Sequence, residues 1–130
     1  MSSTTTNEAG AKREHRRPEI LVEPVAGRLT VHVDGVIVAD TTAAVVLTEG
    51  RLPPRRYLPA ADVHMSLLSS TDTSTHCPWK GDASYWSVTV NGTTHPDIVW
   101  SYPDPIAEMA EIAGFMSFYA ERDEVDLAVT

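Results

Sequence analysis

The stretch YWSVTVNGTTHPDIVWSY, residues 85–102, contains the clearest structural signal in the chain. Two runs of alternating apolar and polar residues flank Asn91-Gly92, and this dipeptide is the strongest short signal for a tight turn between antiparallel strands. Because alternate residues of a strand point to opposite faces of a sheet, the pattern predicts an apolar face on each strand. These faces are Trp86, Val88 and Val90 on the first strand, and Ile98, Trp100 and Tyr102 on the second.

Similar patterns occur on both sides of this hairpin. RLTVHVDG at residues 28–35 alternates and ends in Asp-Gly, another turn signal, so VIVAD at 36–40 is expected to return as its partner strand. Further strands are predicted over residues 61–69, 115–120 and 125–130.

Three segments give a weaker signal. AAVVLTEG at residues 43–50 fits a short helix or a buried strand, and periodicity does not separate the two. RLPPRRYLP at 51–59 contains three prolines and is expected to be extended and irregular. Residues 69–81 are rich in Ser, Thr, Asp, Pro and Gly, which predicts a loop.

One segment has the signals of a helix. In PDPIAEMAEIAG, residues 103–114, apolar residues recur at helical spacing, Asp104 can cap the start and Gly114 can end it. The helix is expected near residues 105–113. The predicted class is mainly β, with seven or eight short strands, one short helix, and antiparallel sheets packed as a sandwich or a partly open barrel.

The length of 130 residues corresponds to one domain. Residues 1–18 have no apolar periodicity and are predicted to be a disordered tail, so the single β domain is expected over 19–130. The start of the chain has no apolar stretch typical of a secretory signal, and no apolar run approaches the roughly 18 residues of a membrane span. These features predict a protein with no membrane partner.

The charge is unevenly distributed. Residues 1–17 carry a net charge of +2, whereas the rest has six basic and sixteen acidic residues. A body this acidic repels phosphates, which argues against a nucleic-acid partner. The single cysteine, Cys77, cannot form an internal disulfide, which favours a reducing cytoplasm.

The segment THCPWKGDASYW, residues 75–86, holds the most reactive residue types. Its Lys80-Gly81-Asp82 order is not that of a phosphate-binding loop, and one cysteine excludes the usual zinc sites, so neither a metal nor a cofactor is predicted. Cys77 is either a nucleophile with a nearby His base or a small buried hydrophobe. Lys80, the only lysine outside the tail, is either a functional amine that binds anions or forms Schiff bases, or an ordinary solvated lysine.

Other polar and aromatic residues are candidates for the same site if the fold brings them close to Lys80. Glu49 and the pair Arg55-Arg56 flank the proline-rich turn before Tyr57, and an arginine beside a lysine can form an anion pocket. A surface turn is the alternative. For Trp86, Trp100 and Tyr102 a core role is favoured, and a ligand cage is the alternative.

The ordered motifs VHVDGVIVADT, LTEGRLPPRRYLPAADV, STHCPWKGDASYWSV, DIVWSYPDP and IAGFMSFY resemble a bacterial and fungal family, the domain of unknown function 427, whose label is nucleotidyltransferase-like. The resemblance covers about residues 29–129, and the pattern T-x-C-P-x-K-G-x-A-x-Y from Thr75 to Tyr85 is its most specific mark. It implies a β-tent-like fold, in which two small antiparallel sheets meet at a steep angle. Other β-tent proteins hold zinc with Cys-x-x-Cys pairs, which this chain lacks.

These observations lead to three hypotheses of function. The first is a small-molecule pocket, belonging to a binding module or a minor enzyme, built around the THCPWKGDASYW segment and the aromatic strands. The second is the nucleotidyltransferase-like enzyme of the family label, and the third is a motif with a purely structural role. The candidate catalytic residues are Lys80 and Cys77, and the candidate ligand-binding residues are Glu49, Arg55, Tyr57, Trp79, Tyr85 and Trp100. Oligomeric state is left open.

Overall fold

The computed structural model describes residues 17–130. The predicted disordered tail over residues 1–18 therefore falls almost wholly outside the described residues. The first strand begins at Ile20. Residues 17–130 contain no helix with the length and apolar character needed to cross a bilayer.

Within residues 17–130, ten strands form two antiparallel sheets, which confirms the mainly β class. The strands are β1 (Ile20–Pro24), β2 (Leu29–Val33), β3 (Val36–Thr41), β4 (Val45–Glu49), β5 (Arg55–Leu58), β6 (Leu68–Cys77), β7 (Gly81–Val90), β8 (Thr93–Ser101), β9 (Met116–Phe118) and β10 (Val125–Val129). The seven-stranded sheet has the order β1-β4-β5-β9-β8-β7-β6, and the three-stranded sheet has the order β10-β2-β3.

Both hairpins predicted from turn dipeptides are present. Asp34 and Gly35 connect β2 to β3 with φ values of 48° and 81°, and Asn91 and Gly92 connect β7 to β8 with φ values of 51° and 78°. Two consecutive residues at positive φ are what the tight turn between twisted strands requires, and Asn, Asp and Gly adopt this conformation most readily.

The structure corrects two strand assignments. Residues 69–81 were expected to form a loop, yet most of this segment belongs to β6, a long edge strand paired with β7 alone. Its side chains are mostly exposed, so it lacks the apolar alternation of a half-buried strand. The predicted strand over 61–69 is also wrong, because 3₁₀ turns at Ala60–Asp62 and Met65–Leu67 occupy most of it. Of the two alternatives for residues 43–50, the strand is correct, and the segment 51–59 contains β5.

The predicted helix near 105–113 is a short 3₁₀ segment, Ala107–Ile112, rather than an α-helix. Met109 has a non-helical φ of −112° and interrupts it. The residue at its start is Ile106, with no side-chain cap, so Asp104 does not have the capping role that was expected. Met109 and Ile112 are buried and contribute to the hydrophobic core.

Buried residues separate into two clusters. The inter-sheet core joins both sheets and contains Leu29, Val31, Val33, Val38, Leu58, Val88, Val90, Ile98, Val99, Met116 and Phe118, among others. The aromatic cluster contains Leu47, Tyr57, Ala83, Tyr85, Trp100, Tyr102, Met109 and Ile112. Since Tyr57 and Leu58 are adjacent on β5 and belong to different clusters, the clusters occupy opposite faces of the seven-stranded sheet.

An irregularity in β8 changes which residues share a face. Trp86 pairs with Val99 and Val88 pairs with His95, so one residue of β7 lies opposite three residues of β8. Asp97, inside this bulge, has a φ of 53°. The bulge reverses the alternation, so that Ile98 lies in the inter-sheet core while Trp100 and Tyr102 lie in the aromatic cluster. The prediction that these three share a face is therefore wrong, whereas Trp86, Val88 and Val90 do pack together in the inter-sheet core.

Candidate functional site

A cavity of about 240 Å³ opens on the face of the seven-stranded sheet that carries the aromatic cluster. The pairing order of the strands explains its composition, because β4, β5, β9, β8 and β7 lie side by side and each directs residues to this face. The lining residues are Leu47, Glu49, Leu52, Pro53, Arg55, Tyr57, Lys80, Tyr85, Trp100, Tyr102 and Tyr119.

All four tyrosines of the chain line this one cavity. The Tyr57 hydroxyl accepts a hydrogen bond of 3.1 Å from Trp100 Nε1, and the two rings meet edge to face at 6.2 Å. The Tyr85 hydroxyl is 3.0 Å from Thr75 Oγ1 and 3.5 Å from the Tyr119 hydroxyl. The cavity therefore combines flat apolar surfaces with polar atoms held in place by one another.

Burial extends the pH range over which the phenol groups stay neutral. It raises the pKa of Tyr57 to about 12, because the phenolate would be desolvated, although the hydrogen bond from Trp100 opposes this. Burial is also the main reason why the pKa of Tyr102 is raised, and it raises that of Tyr119 to about 12. At neutral pH these hydroxyls thus carry their protons and can donate hydrogen bonds.

The turn between β6 and β7 places Lys80 at the cavity. Its backbone N–H donates to the Cys77 carbonyl at 3.1 Å, and its carbonyl accepts from the Ile106 N–H at 2.9 Å. The next residue, Gly81, has a φ of 121°, and a Cβ there would lie 3.2 Å from Pro105 Cα. The turn therefore needs glycine at this position, which fixes the direction of the lysine before it.

The Lys80 side chain is nearly enclosed. Only 9% of it is exposed, and its Nζ forms an ion pair with Glu49 Oε1 of β4, whose side chain is 15% exposed. Nζ also lies 5.9 Å from the centre of the Tyr102 ring. An ammonium and a carboxylate thus compensate each other within the cavity wall, with little access for water.

Arg55 forms a second ion pair at the cavity, and this pair is more open. Its guanidinium lies 5.2 Å from the Trp100 ring centre and 5.5 Å from that of Tyr119. It donates two parallel hydrogen bonds, of 2.7 and 2.8 Å, to Glu121, whose side chain is 59% exposed. These bonds raise the pKa of Arg55 and lower that of Glu121 to about 2.

Six of the residues predicted to form a site are brought together here: Glu49, Arg55, Tyr57, Lys80, Tyr85 and Trp100. Cys77 and Trp79 do not line the cavity. Cys77 is half-buried and packs against the aromatic cluster, so its predicted catalytic role and the ligand-binding role of Trp79 stay predictions.

Sequence reasoning did not select five lining residues: Leu47, Leu52, Pro53, Tyr102 and Tyr119. Tyr119 lies at the cavity because of the pairing between β5 and β9. Tyr57 pairs with Ser117, and this register places Arg55 opposite Tyr119. The convergence of the four tyrosines depends on strand pairing and could not be found from composition.

Within residues 17–130, no three or more His, Cys, Asp and Glu side chains are grouped so as to hold a metal ion. The two carboxylates nearest the cavity, Glu49 and Glu121, are each paired with a cation. The nucleotidyltransferase-like hypothesis stays a prediction with no observation in its favour.

Comparison with known proteins identifies the family of this chain. No curated protein matches the chain. A family model described as a domain of unknown function (DUF427), with the short label NTP_transf_9, matches residues 21–130, which include every strand from β2 to β10 and all the residues that line the cavity. The chain belongs to this DUF427 family.

Proposed function

We propose that the cavity binds a small, flat molecule that carries an acidic group. The observation that supports this most strongly is the position of Arg55, which lies over two aromatic rings at the cavity and presents a planar set of donors. A guanidinium binds a carboxylate with two parallel hydrogen bonds, and Arg55 already makes this arrangement with Glu121.

The size of the ligand follows from the cavity. Its volume of about 240 Å³ is below the roughly 300 Å³ at which drug-sized pockets begin, so a single ring with one or two substituents is a suitable occupant. The rings of Tyr57, Tyr85, Trp100, Tyr102 and Tyr119 supply apolar surfaces that match a flat body.

The acidic group is assigned to Arg55 rather than to Lys80 because of their partners. Glu121 is 59% exposed, so it can turn into water when a ligand carboxylate replaces it at little cost. Glu49 is only 15% exposed, and losing its partner would leave a carboxylate desolvated and unpaired. Displacing Glu121 from Arg55 therefore costs less free energy than displacing Glu49 from Lys80.

Three benzene derivatives of matched shape test this proposal: benzoate, benzamide and benzamidine, which are anionic, neutral and cationic. Titration calorimetry is expected to give the tightest binding for benzoate. An Arg55→Gln variant should weaken benzoate binding by about tenfold or more, because a hydrogen bond to a charged group contributes roughly 1.5–3 kcal/mol.

Arg56→Gln is the matched control, since it removes the same charge from the neighbouring residue, which does not line the cavity. Equal losses in the two variants would show that net charge, and not the site, attracts benzoate. The absence of binding by all three compounds at millimolar concentration would refute the pocket itself.

The third hypothesis, a purely structural motif, has two observations in its favour. The Lys80–Glu49 pair joins the β6–β7 turn to β4, and Gly81 packs closely against Pro105. Under this hypothesis, changes at Lys80 alter stability, and the three benzene derivatives do not bind. The calorimetric titration therefore separates the two readings.

The setting of this function is also a proposal. We infer a cytoplasmic, bacterial protein whose partner is a small molecule and not a nucleic acid. The single Cys77 supports the compartment, the excess of acidic residues outside the tail argues against a nucleic acid, and the bacterial source rests on the family resemblance alone. Fractionation of the source cells, followed by immunodetection of the chain, tests the compartment.

A further inference from the structure

We propose that Lys80 forms an imine with an aldehyde or ketone group of the ligand, with Glu49 acting as the proton acceptor and then as the counterion. This inference rests on the proposed function, since it uses the same cavity. It names a second feature of the ligand, a carbonyl group.

The position of the amine is the first support. Lys80 Nζ lies in a cavity wall with only 9% of the side chain exposed, and its backbone is fixed on both sides by hydrogen bonds. It is the only lysine among residues 17–130, because the chain has Lys12 and Lys80 alone. An enclosed site of this kind limits the access of water, which hydrolyses imines.

Charge balance is the second support. An anion that bound to Lys80 without a covalent bond would compete with Glu49 for the ammonium. A protonated imine keeps one positive charge at the same nitrogen, so the ion pair with Glu49 survives the reaction. The ion pair with Glu49 therefore disfavours anion binding by Lys80 but is compatible with imine formation.

The step balances with groups present in the wall. The ammonium of Lys80 transfers one proton to the Glu49 carboxylate, and the free amine attacks the carbonyl carbon, which forms a C–N bond as the C=O π bond breaks. A second proton then moves from the nitrogen to the oxygen and gives the neutral carbinolamine. The carbinolamine oxygen then receives the proton from Glu49 and the C–O bond breaks, which releases water. The product is an iminium ion beside the restored carboxylate, and no oxidant or reductant is consumed.

The cavity also offers donors for the carbonyl oxygen. The Tyr57 hydroxyl accepts the Trp100 N–H and so keeps its own proton for donation. Tyr102, whose ring lies near Nζ, is also a protonated phenol at neutral pH, and burial raises its pKa further. A hydrogen bond to the carbonyl oxygen would favour attack at the carbon.

The test is reductive trapping with 4-formylbenzoate, which carries both the acidic and the carbonyl group. The full chain is incubated with this probe and sodium cyanoborohydride at pH 7, and peptide mass spectrometry locates the adducts. We expect labelling at Lys80 to be at least tenfold faster than at Lys12 or the terminal amine, which serve as internal controls within the same molecule. Equal or slower labelling at Lys80 would overturn the inference.

Two variants examine the roles of the pair. Lys80→Arg keeps the charge next to Glu49 and should lose the adduct, while Lys12→Arg should leave it unchanged. Glu49→Gln should slow labelling of Lys80 by about 100-fold if Glu49 transfers protons. An unchanged rate in Glu49→Gln would overturn its role.

A non-reactive probe separates this inference from the proposed function. The analogue 4-carbamoylbenzoate keeps the ring, the acid and the para carbonyl group, but its amide forms no imine. If it binds in calorimetry and 4-formylbenzoate leaves Lys80 unlabelled, the imine is refuted and the pocket stands. If it does not bind, the proposed function fails for this ligand shape. Binding of 4-carbamoylbenzoate by the Glu49→Gln variant would show that this variant is folded.

Discussion

Tyr57 and Leu58 are neighbours on β5, yet they face different surroundings. Leu58 is fully buried in the inter-sheet core among aliphatic residues. Tyr57 is as deeply buried, but its hydroxyl bonds to Trp100 and its ring lines a cavity beside Lys80 and Arg55. The same strands thus make one face that only packs and one that buries polar groups and leaves space.

This difference has an energetic meaning. The inter-sheet core gains stability from apolar area removed from water, and close packing is enough for that. On the cavity face, every buried polar group needs a partner, and the Lys80–Glu49 and Tyr57–Trp100 contacts supply them. A protein that needed only stability would gain little from the second arrangement, which is why we look for function on that face.

The largest expected effect comes from breaking the enclosed ion pair. Lys80→Met leaves the Glu49 carboxylate unpaired with only 15% of its side chain exposed, and it should lower the free energy of unfolding by about 3–5 kcal/mol. Urea denaturation at pH 7 measures this. The double variant Glu49→Leu with Lys80→Met removes both charges and should recover most of the loss. If the single and double variants are equally unstable, packing of the Lys80 stem is the cause instead.

The next test compares the two neighbours on β5. Leu58→Ala removes apolar volume from the inter-sheet core and should lower the unfolding free energy by about 2–5 kcal/mol. Tyr57→Phe keeps the ring but leaves the buried Trp100 N–H without its acceptor, at a cost of about 1–3 kcal/mol.

Ligand binding distinguishes the two variants further. With benzoate as the probe, Leu58→Ala should keep the wild-type affinity at a temperature where it is folded, since Leu58 does not line the cavity. Tyr57→Phe should change it. If Leu58→Ala alone altered the affinity, the two faces would be coupled more strongly than their separate clusters indicate.

High pH should affect the cavity face selectively. In the folded protein the pKa of Tyr57 is about 12, against 10 when exposed, so only the unfolded chain ionises as the pH rises past 10. Stability is fully present below pH 10 and falls as the pH rises towards 12, by about 2–3 kcal/mol for this residue. Absorbance at 295 nm and tryptophan fluorescence, recorded over the same titration, should show tyrosine ionisation coinciding with unfolding. Ionisation of every tyrosine with a midpoint near pH 10, with the fold intact, would contradict the burial of these rings.

The sequence predicts the inter-sheet core better than the cavity face, for a physical reason. Turn dipeptides and alternation are local, so Asp34-Gly35 and Asn91-Gly92 located both hairpins correctly. The bulge at Asp97 has no such local signal, and it moved Ile98 and Trp100 to opposite faces. The edge strand β6 was also missed, because exposed polar residues resemble a loop when the pairing partner is unknown.

The site depended on contacts between distant segments. Glu49, Arg55 and Lys80 were selected for their chemistry, but their convergence requires β4 and β5 to lie in the same sheet as β7. Tyr119 was missed because β9 inserts between β5 and β8, which no local pattern reports. Residue chemistry thus suggested the candidates, while strand order decided which of them meet.

The smallest expected effect concerns the exposed Arg55–Glu121 ion pair. It tests whether this pair contributes less stability than the enclosed Lys80–Glu49 pair. Arg55 lowers the pKa of Glu121 to about 2 from an ordinary value of 4.5, so the pair contributes stability above pH 4.5 that is lost as the pH falls through 2. Because Glu121 is 59% exposed, solvent screens this contribution, and Glu121→Gln should cost at most about 1 kcal/mol at pH 7. Urea denaturation at pH 7, 4 and 3 should show the difference from the wild type shrinking as the pH falls, while Glu111→Gln, at an exposed glutamate, should show no such trend. A loss in Glu121→Gln as large as that of Lys80→Met would mean that Glu121 is not readily displaced, and benzoate would then have to bind Arg55 beside Glu121 rather than in its place.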